Sequence, residues 1–233
     1  VPTIYTAINN SHETKKYDLS SINLCISGGA PLPVEVKENF EKLTGCILVE
    51  GYGLTESSPV AAVNPLDENR RAGSIGRPVP GTKVRFVDIE DRKTEVAQGE
   101  KGELLIHGQQ VMKGYWKRDD ATAETITEDG YLHTGDVGYQ DEDGFIYLVD
   151  RIKDLILCSG YNVYPRVIEE AIYQNEAVDE TIVIAIPDEY RGQSPKAFVK
   201  LKDGHSLTAG DLKAFLKDHL SAIELPREIE FRD

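Results

Sequence analysis

Apolar and polar positions fall into three successive patterns along the chain. Near the start, Ile22-Asn23-Leu24-Cys25-Ile26 reads as a strand. It runs into the Gly/Pro turn Ser27-Gly28-Gly29-Ala30-Pro31-Leu32-Pro33. Val36, Phe40 and Leu43 then follow at helical spacing, with Pro33 suited to the first helical turn and Gly45 near the end. Cys46-Ile47-Leu48-Val49 is a short apolar run and reads as a buried strand. Residues 22–56 therefore predict β-α-β, with two glycine-bearing loops at one edge of a parallel sheet. Residues 1–18 predict a helix end and a polar loop.

After the Pro/Gly-rich stretch at 73–81 the period drops to two. Val84 and Phe86 alternate with Lys83 and Arg85, and Leu104 and Ile106 repeat the pattern. A hairpin is expected over 139–149 around Asp141-Glu142-Asp143-Gly144. Residues about 72–149 thus predict a small, mainly antiparallel, barrel-like unit with one helix at about Asp120–Ile126. Beyond Arg151 a helix is expected from near Pro165, strands at Thr181–Ile186 and Ala197–Leu201, and a second helix through Leu212, Phe215 and Leu216 capped by Thr208. The expected division is 1–150 and 151–233, the second part a compact α+β module. The fold class is α/β.

The 233 residues carry a formal charge of −14, from 26 Lys+Arg against 40 Asp+Glu. That excludes the basic footprint of a nucleic-acid binder, and an anionic ligand would need local cations. Cys25, Cys46 and Cys158 are odd in number and far apart, which reads as buried reduced thiols in a cytoplasmic protein. No apolar run has the length of a membrane span and no signal peptide is visible.

Glu50-Gly51-Tyr52-Gly53-Leu54-Thr55-Glu56-Ser57 leaves the C-terminal end of the second predicted strand, where open α/β sheets bind ligands. Its glycines admit a flat ligand close to the backbone. Tyr52 offers a ring face, Thr55 a hydroxyl for phosphate, and Glu56 a hard carboxylate suited to Mg²⁺. The Ser27–Pro31 loop is either a second ligand-facing loop or a tight turn into the helix. Asp136, after Gly135, is either a carboxylate for a ribose diol or a turn residue. Arg151 and Lys153 are either ligand-facing cations at a hinge or a solvated charge cluster. Asp141–Gly144 is a hairpin turn, since a calcium loop would begin at Tyr139. His107, His133, His205 and His219 lack a partner at catalytic spacing and read as surface or turn residues, and Tyr190–Gln193 reads as a loop.

Taken in order, Ser-Gly-Gly-Ala-Pro-Leu (27–32), Gly-Tyr-Gly-Leu-Thr-Glu (51–56), Gly-Tyr-Leu-His-Thr-Gly-Asp (130–136), Asp-Arg-Ile-Lys-Asp-Leu-Ile (150–156) and Gly-Tyr-Asn-Val-Tyr-Pro (160–165) resemble the core motifs of the adenylate-forming enzymes. These include the acyl-CoA synthetases, peptide-synthetase adenylation domains and firefly-type luciferases. The segments Gln109–Trp116 and Arg151–Asp154 are most similar to bacterial long-chain fatty acid–CoA ligases. The resemblance implies that residues 1–150 are the C-terminal part of a large AMP-binding domain and 151–233 a small mobile domain. It implies activation of a fatty acid by MgATP to acyl-AMP and pyrophosphate, then thioester formation with CoA.

Carried over residue by residue, Gly29, Ala30 and Pro31 would line the adenine and acyl-adenylate site, with Glu50, Gly51 and Gly53 in the neighbouring loop. Tyr52 would stack on adenine, Thr55 would contact phosphate, and Glu56 would hold Mg²⁺. Asp136 would bind the ribose, with Arg151 beside it. Lys153 would be the hinge, and Ser159-Gly160-Tyr161 would face the site in the CoA step. The resemblance allows peripheral membrane association of a longer parent and leaves oligomeric state open. Two family features are not in the sequence: a Ser/Thr/Gly-rich phosphate loop, expected upstream of Val1, and a catalytic lysine, expected soon after Phe231. The chain is accordingly expected to be a piece of a longer protein, inactive or nearly so in adenylation by itself. An adenylation domain loading a carrier protein shares these motifs, and the missing phosphate loop and lysine would also fit a non-catalytic nucleotide- or acyl-binding module.

Overall fold

A computed structural model describes residues Val1–Arg232. The chain divides into two compact units, Val1–Leu148 and Val149–Asp233. In the first, α1 (Pro2–Asn10), β1 (Leu24–Ser27), α2 (Val34–Thr44) and β2 (Ile47–Gly53) form the β-α-β segment. β1 and β2 are parallel, in register from Leu24 opposite Ile47 to Ser27 opposite Glu50. β3 (Val60–Val63) and β4 (Arg77–Pro78) extend the sheet in antiparallel fashion to the order β1-β2-β3-β4. Apolar spacing on α2 buries Phe40 against Tyr5, Leu32, Cys46 and Leu48. The Tyr5 and Phe40 rings meet edge to face at 4.9 Å. Pro33 stands one residue before α2, at its cap, rather than within the first turn. Gly45, at φ 74°, ends the helix in the left-handed region.

The period-two region forms β5 (Lys83–Val87), β6 (Gly102–His107), β7 (Leu132–Gln140) and β8 (Ile146–Arg151), with α3 (Asp119–Thr125) between β6 and β7. These strands pair in the order β5-β6-β7-β8 and do not close into a barrel. Ile146 at the start of β8 explains why. Its carbonyl accepts from the Ile75 amide and the Ser74 hydroxyl, and it bridges to Gly76, so residues 74–76 occupy the place that a closing strand would take. Ala61, Ala62, Ile75, Phe86, Leu104, Ile106 and Ile146 form the core here.

The second unit contains β9 (Ile156–Cys158), β10 (Tyr161–Val163), α4 (Pro165–Tyr173), β11 (Val178–Asp188), β12 (Gly192–Leu201), α5 (Ala209–Leu216) and β13 (Glu228–Arg232). Its sheet runs β10-β9-β12-β11, with β13 parallel to β12. Ile168 and Ile172 on α4 and Leu212 and Leu216 on α5 are buried against it. Thr208 caps α5, its hydroxyl accepting from the Asp211 amide at 3.2 Å. One stretch read as a loop is partly strand, since Gly192 and Gln193 open β12. Ser159 (φ 53°) and Gly160 (φ 80°) supply the two consecutive positive-φ residues of a tight hairpin turn, a requirement that Ser-Gly meets less visibly than Asn-Gly.

All three cysteines are free; Cys46 and Cys158 are buried and Cys25 is half-buried. Among the described residues no helix is long and apolar enough to cross a membrane.

Candidate functional site

The parallel pair β1–β2 delivers two loops side by side. Gly28 and Gly51 follow the last registered pair, and a Cβ on Gly28 would lie 2.9 Å from the Gly51 carbonyl oxygen. Only glycine allows the two backbones this approach. Gly29, Ala30 and Pro31 are exposed at the loop surface. Leu32, one residue on, is anchored: its amide donates to Glu50 Oε1 at 3.2 Å, and Glu50 is itself buried. Glu50 thus ties the first loop to the second. A side chain on Gly53 would meet the Pro59 carbonyl oxygen at 1.7 Å, because the chain folds straight back into β3.

Tyr52 points its hydroxyl across the unit to Asp136, donating to Oδ2 at 2.5 Å. Asp136 lies within β7 rather than in a turn, and only 7% of it is exposed. Its place in the strand is irregular. Glu103 pairs with Val137 and Leu105 with His133, so Thr134, Gly135 and Asp136 on β7 face Leu104 alone on β6. Such a bulge re-aims side chains and leaves backbone groups without ladder partners. Here side chains satisfy them. The Thr134 hydroxyl donates to the Leu104 carbonyl at 2.7 Å and accepts from the Asp136 amide at 3.0 Å. The Gly135 amide donates to Glu103 Oε1 at 3.0 Å.

Glu103 is fully buried and was not singled out from sequence. Arg92 grips it with two hydrogen bonds of 2.8 Å, and His133 Nδ1 lies 3.0 Å from Oε2. Burial alone would push this carboxyl up; the bonds from Arg92, then His133, hold it below the ordinary glutamate range. His133, read from sequence as a surface or turn residue, is instead a strand residue whose side chain is 11% exposed.

Thr55 is exposed at the start of a single short turn, Thr55–Ser57, with Glu56 half-buried beside it. Glu56 is held from residues 112–115: the Met112 amide donates to its carbonyl at 2.8 Å and the Tyr115 hydroxyl to its Oε1 at 2.7 Å. That acceptor, with some burial, pushes the Tyr115 phenol up. Among the described residues no three His, Cys, Asp or Glu side chains cluster as a metal site. A lone carboxylate fits Mg²⁺ in the mode in which the ion keeps its waters and takes its other ligands from phosphates.

The second unit carries the remaining predicted residues. Arg151 ends β8, and Lys153 is exposed in the turn Ile152–Asp154. Half-buried Asp150 joins this segment to α4, accepting from the amides of Arg151 at 2.8 Å and Arg166 at 2.9 Å. Ser159, Gly160 and Tyr161 are exposed at the β9–β10 hairpin tip.

Residues 1–116 match the family model described as AMP-binding enzyme, and residues 167–233 match the AMP-binding enzyme C-terminal domain. The chain belongs to the AMP-binding enzyme family. A long-chain-fatty-acid–CoA ligase of Bacillus subtilis (strain 168) is 48% identical over 231 residues, 99% of this chain and 41% of that protein. The namesake from Salmonella typhimurium is 47% identical, covering 100% of this chain and 41% of that protein. The chain therefore spans less than half the length of these curated relatives. Among solved structures, ATP-bound MatB from Rhodopseudomonas palustris matches with TM-score 0.91 and 33% identity, over 100% of this chain and 46% of that one. MenE of Bacillus subtilis with its acyl-adenylate intermediate matches with TM-score 0.83 and 27% identity, over 100% and 46%. The chain shares its α/β architecture with these AMP-binding enzymes.

Proposed function

We propose that the chain carries the adenylate-binding floor and the small C-terminal unit of an ATP-dependent long-chain fatty acid–CoA ligase. The observation that carries the reading is the Tyr52–Asp136 hydrogen bond. It unites an aromatic ring and a buried carboxylate from motifs 84 residues apart, the pair needed to hold a nucleoside. The identity to fatty acid–CoA ligases supports the substrate class.

In the first step a fatty-acid carboxylate oxygen bonds to the α-phosphorus of ATP as the bond to pyrophosphate breaks. In the second the CoA thiol gives its proton to solvent, its sulfur bonds to the acyl carbon, and the bond from that carbon to the phosphate oxygen breaks to release AMP. The residues' work is positional and electrostatic. Tyr52 stacks on adenine while its hydroxyl orients Asp136 toward the ribose. Thr55 meets phosphate. Glu56, oriented by Tyr115, would hold Mg²⁺, which supplies charge neutralisation at the phosphates. Gly29–Pro31 line the nucleotide beside Gly51 and Gly53. Arg151 serves the ribose and phosphate side and Lys153 serves as the hinge residue. Ser159–Tyr161 line the CoA path.

Photolabelling tests the nucleotide assignment. In a chimaera carrying these residues in place of the matching segment of the Bacillus subtilis ligase, 8-azido-ATP should label the peptide containing Gly51–Gly53. Labelling confined to other peptides would refute it.

A further inference from the structure

The group formed by buried Glu103 with Arg92 and His133 has no part in the roles described so far, yet it borders the β7 bulge that bears Asp136. A buried carboxylate gripped by an arginine is costly to assemble and loses heavily when one partner is removed. Its contacts are directional. Oε1 receives the Gly135 amide and one Arg92 nitrogen, while Oε2 receives the second Arg92 nitrogen and lies against His133 Nδ1. Gly135 sits at φ 71°, so the bulge kinks the strand between His133 and Asp136. That kink keeps Asp136 on the side of Tyr52.

We propose that Glu103 is the positioning residue for Asp136: through the Gly135 amide it fixes the bulge that aims the Asp136 carboxylate at the nucleotide ribose. Arg92 fixes Glu103 in turn, with two bonds that hold both carboxylate oxygens in one plane. The inference rests on the reading of Asp136 as the ribose ligand. It adds that the strength of the ribose contact is set by a side chain that never touches the nucleotide.

A ligand that lacks the ribose hydroxyls separates this from a general structural role. Binding of ATP and of dideoxy-ATP, which lacks both hydroxyls, is measured by calorimetry on the chain and on the chimaera. The proteins are wild type, Glu103→Gln and Arg92→Lys, each checked for a native circular dichroism spectrum. Lysine keeps a positive charge beside buried Glu103 but not the two-bond grip, so its use keeps a foldable variant in the set. The wild type should prefer ATP. Both variants should lose about three- to tenfold of that preference, with dideoxy-ATP binding unchanged. In an Asp136→Ala background, Glu103→Gln should have no further effect on the ratio. If the wild type prefers ATP and folded variants keep the full preference, the positioning role is overturned while the ribose assignment stands. If the wild type shows no preference, both fall.

Discussion

The Tyr52 hydroxyl donates to Asp136 Oδ2 at 2.5 Å, and this one bond joins the loop after β2 to the bulge in β7. Removing only the hydroxyl isolates its effect. Tyr52→Phe keeps the ring for stacking and leaves a buried carboxylate oxygen short of a donor. A loss of about 1–3 kcal/mol in stability is expected in urea denaturation, with weaker ATP binding. Tyr52→Ala should weaken ATP further, since base stacking is lost as well. Equal ATP affinity in all three proteins would contradict the stacking role.

Glu103 gives the first unit an acid-sensitive anchor. Its folded-state pKa lies below the unfolded value near 4.3 for glutamate, so the folded protein holds the proton less tightly than the unfolded chain does. The stabilisation is complete above the unfolded value and is lost as pH falls through the lower folded one. Denaturant midpoints of wild type and Glu103→Gln should therefore converge on acidification and differ most near neutrality. A difference that stays constant from neutral to acidic pH would show that ionised Glu103 is not the stabilising form.

Backbone crowding ranks two glycines. Gly53→Ala places a Cβ into the Pro59 carbonyl and should cost about 2 kcal/mol or more, as forced shifts in packed regions do. Gly45→Ala meets nothing within 4 Å and suffers only the left-handed backbone penalty, about 1 kcal/mol. Chemical denaturation should show that order; the reverse would mean that the loop after β2 relaxes freely.

Tyr115 orients Glu56 in the way that a second-layer partner orients a metal ligand. Tyr115→Phe in the chimaera should raise the Mg²⁺ concentration for half-maximal activity by about tenfold. An unchanged Mg²⁺ requirement would remove Glu56 from the metal role.

The strands and helices were legible where periodicity is local: β1-α2-β2, the β7–β8 hairpin, and α4 and α5 all follow from apolar spacing and turn residues. The candidate loops were legible because glycine, tyrosine and carboxylate stand together in short segments. Glu103 was hidden because its partners Arg92 and His133 lie 11 and 30 residues away, and strand pairing alone brings them together. The bulge was hidden for the same reason, since it exists only in the register between β6 and β7. That the β5–β8 sheet does not close was hidden because the Ser74–Gly76 segment, which takes the place beside β8, reads in sequence only as a turn-rich connection.

Thioester formation tests the central claim most directly. The chimaera is supplied with ATP, Mg²⁺, CoA and short-, medium- or long-chain fatty acids, and acyl-CoA and AMP are quantified together. Long-chain acyl-CoA formed in step with AMP, and abolished by Asp136→Ala, is the expected result. A folded chimaera that forms no acyl-adenylate, or that keeps full activity with Asp136→Ala, would contradict it.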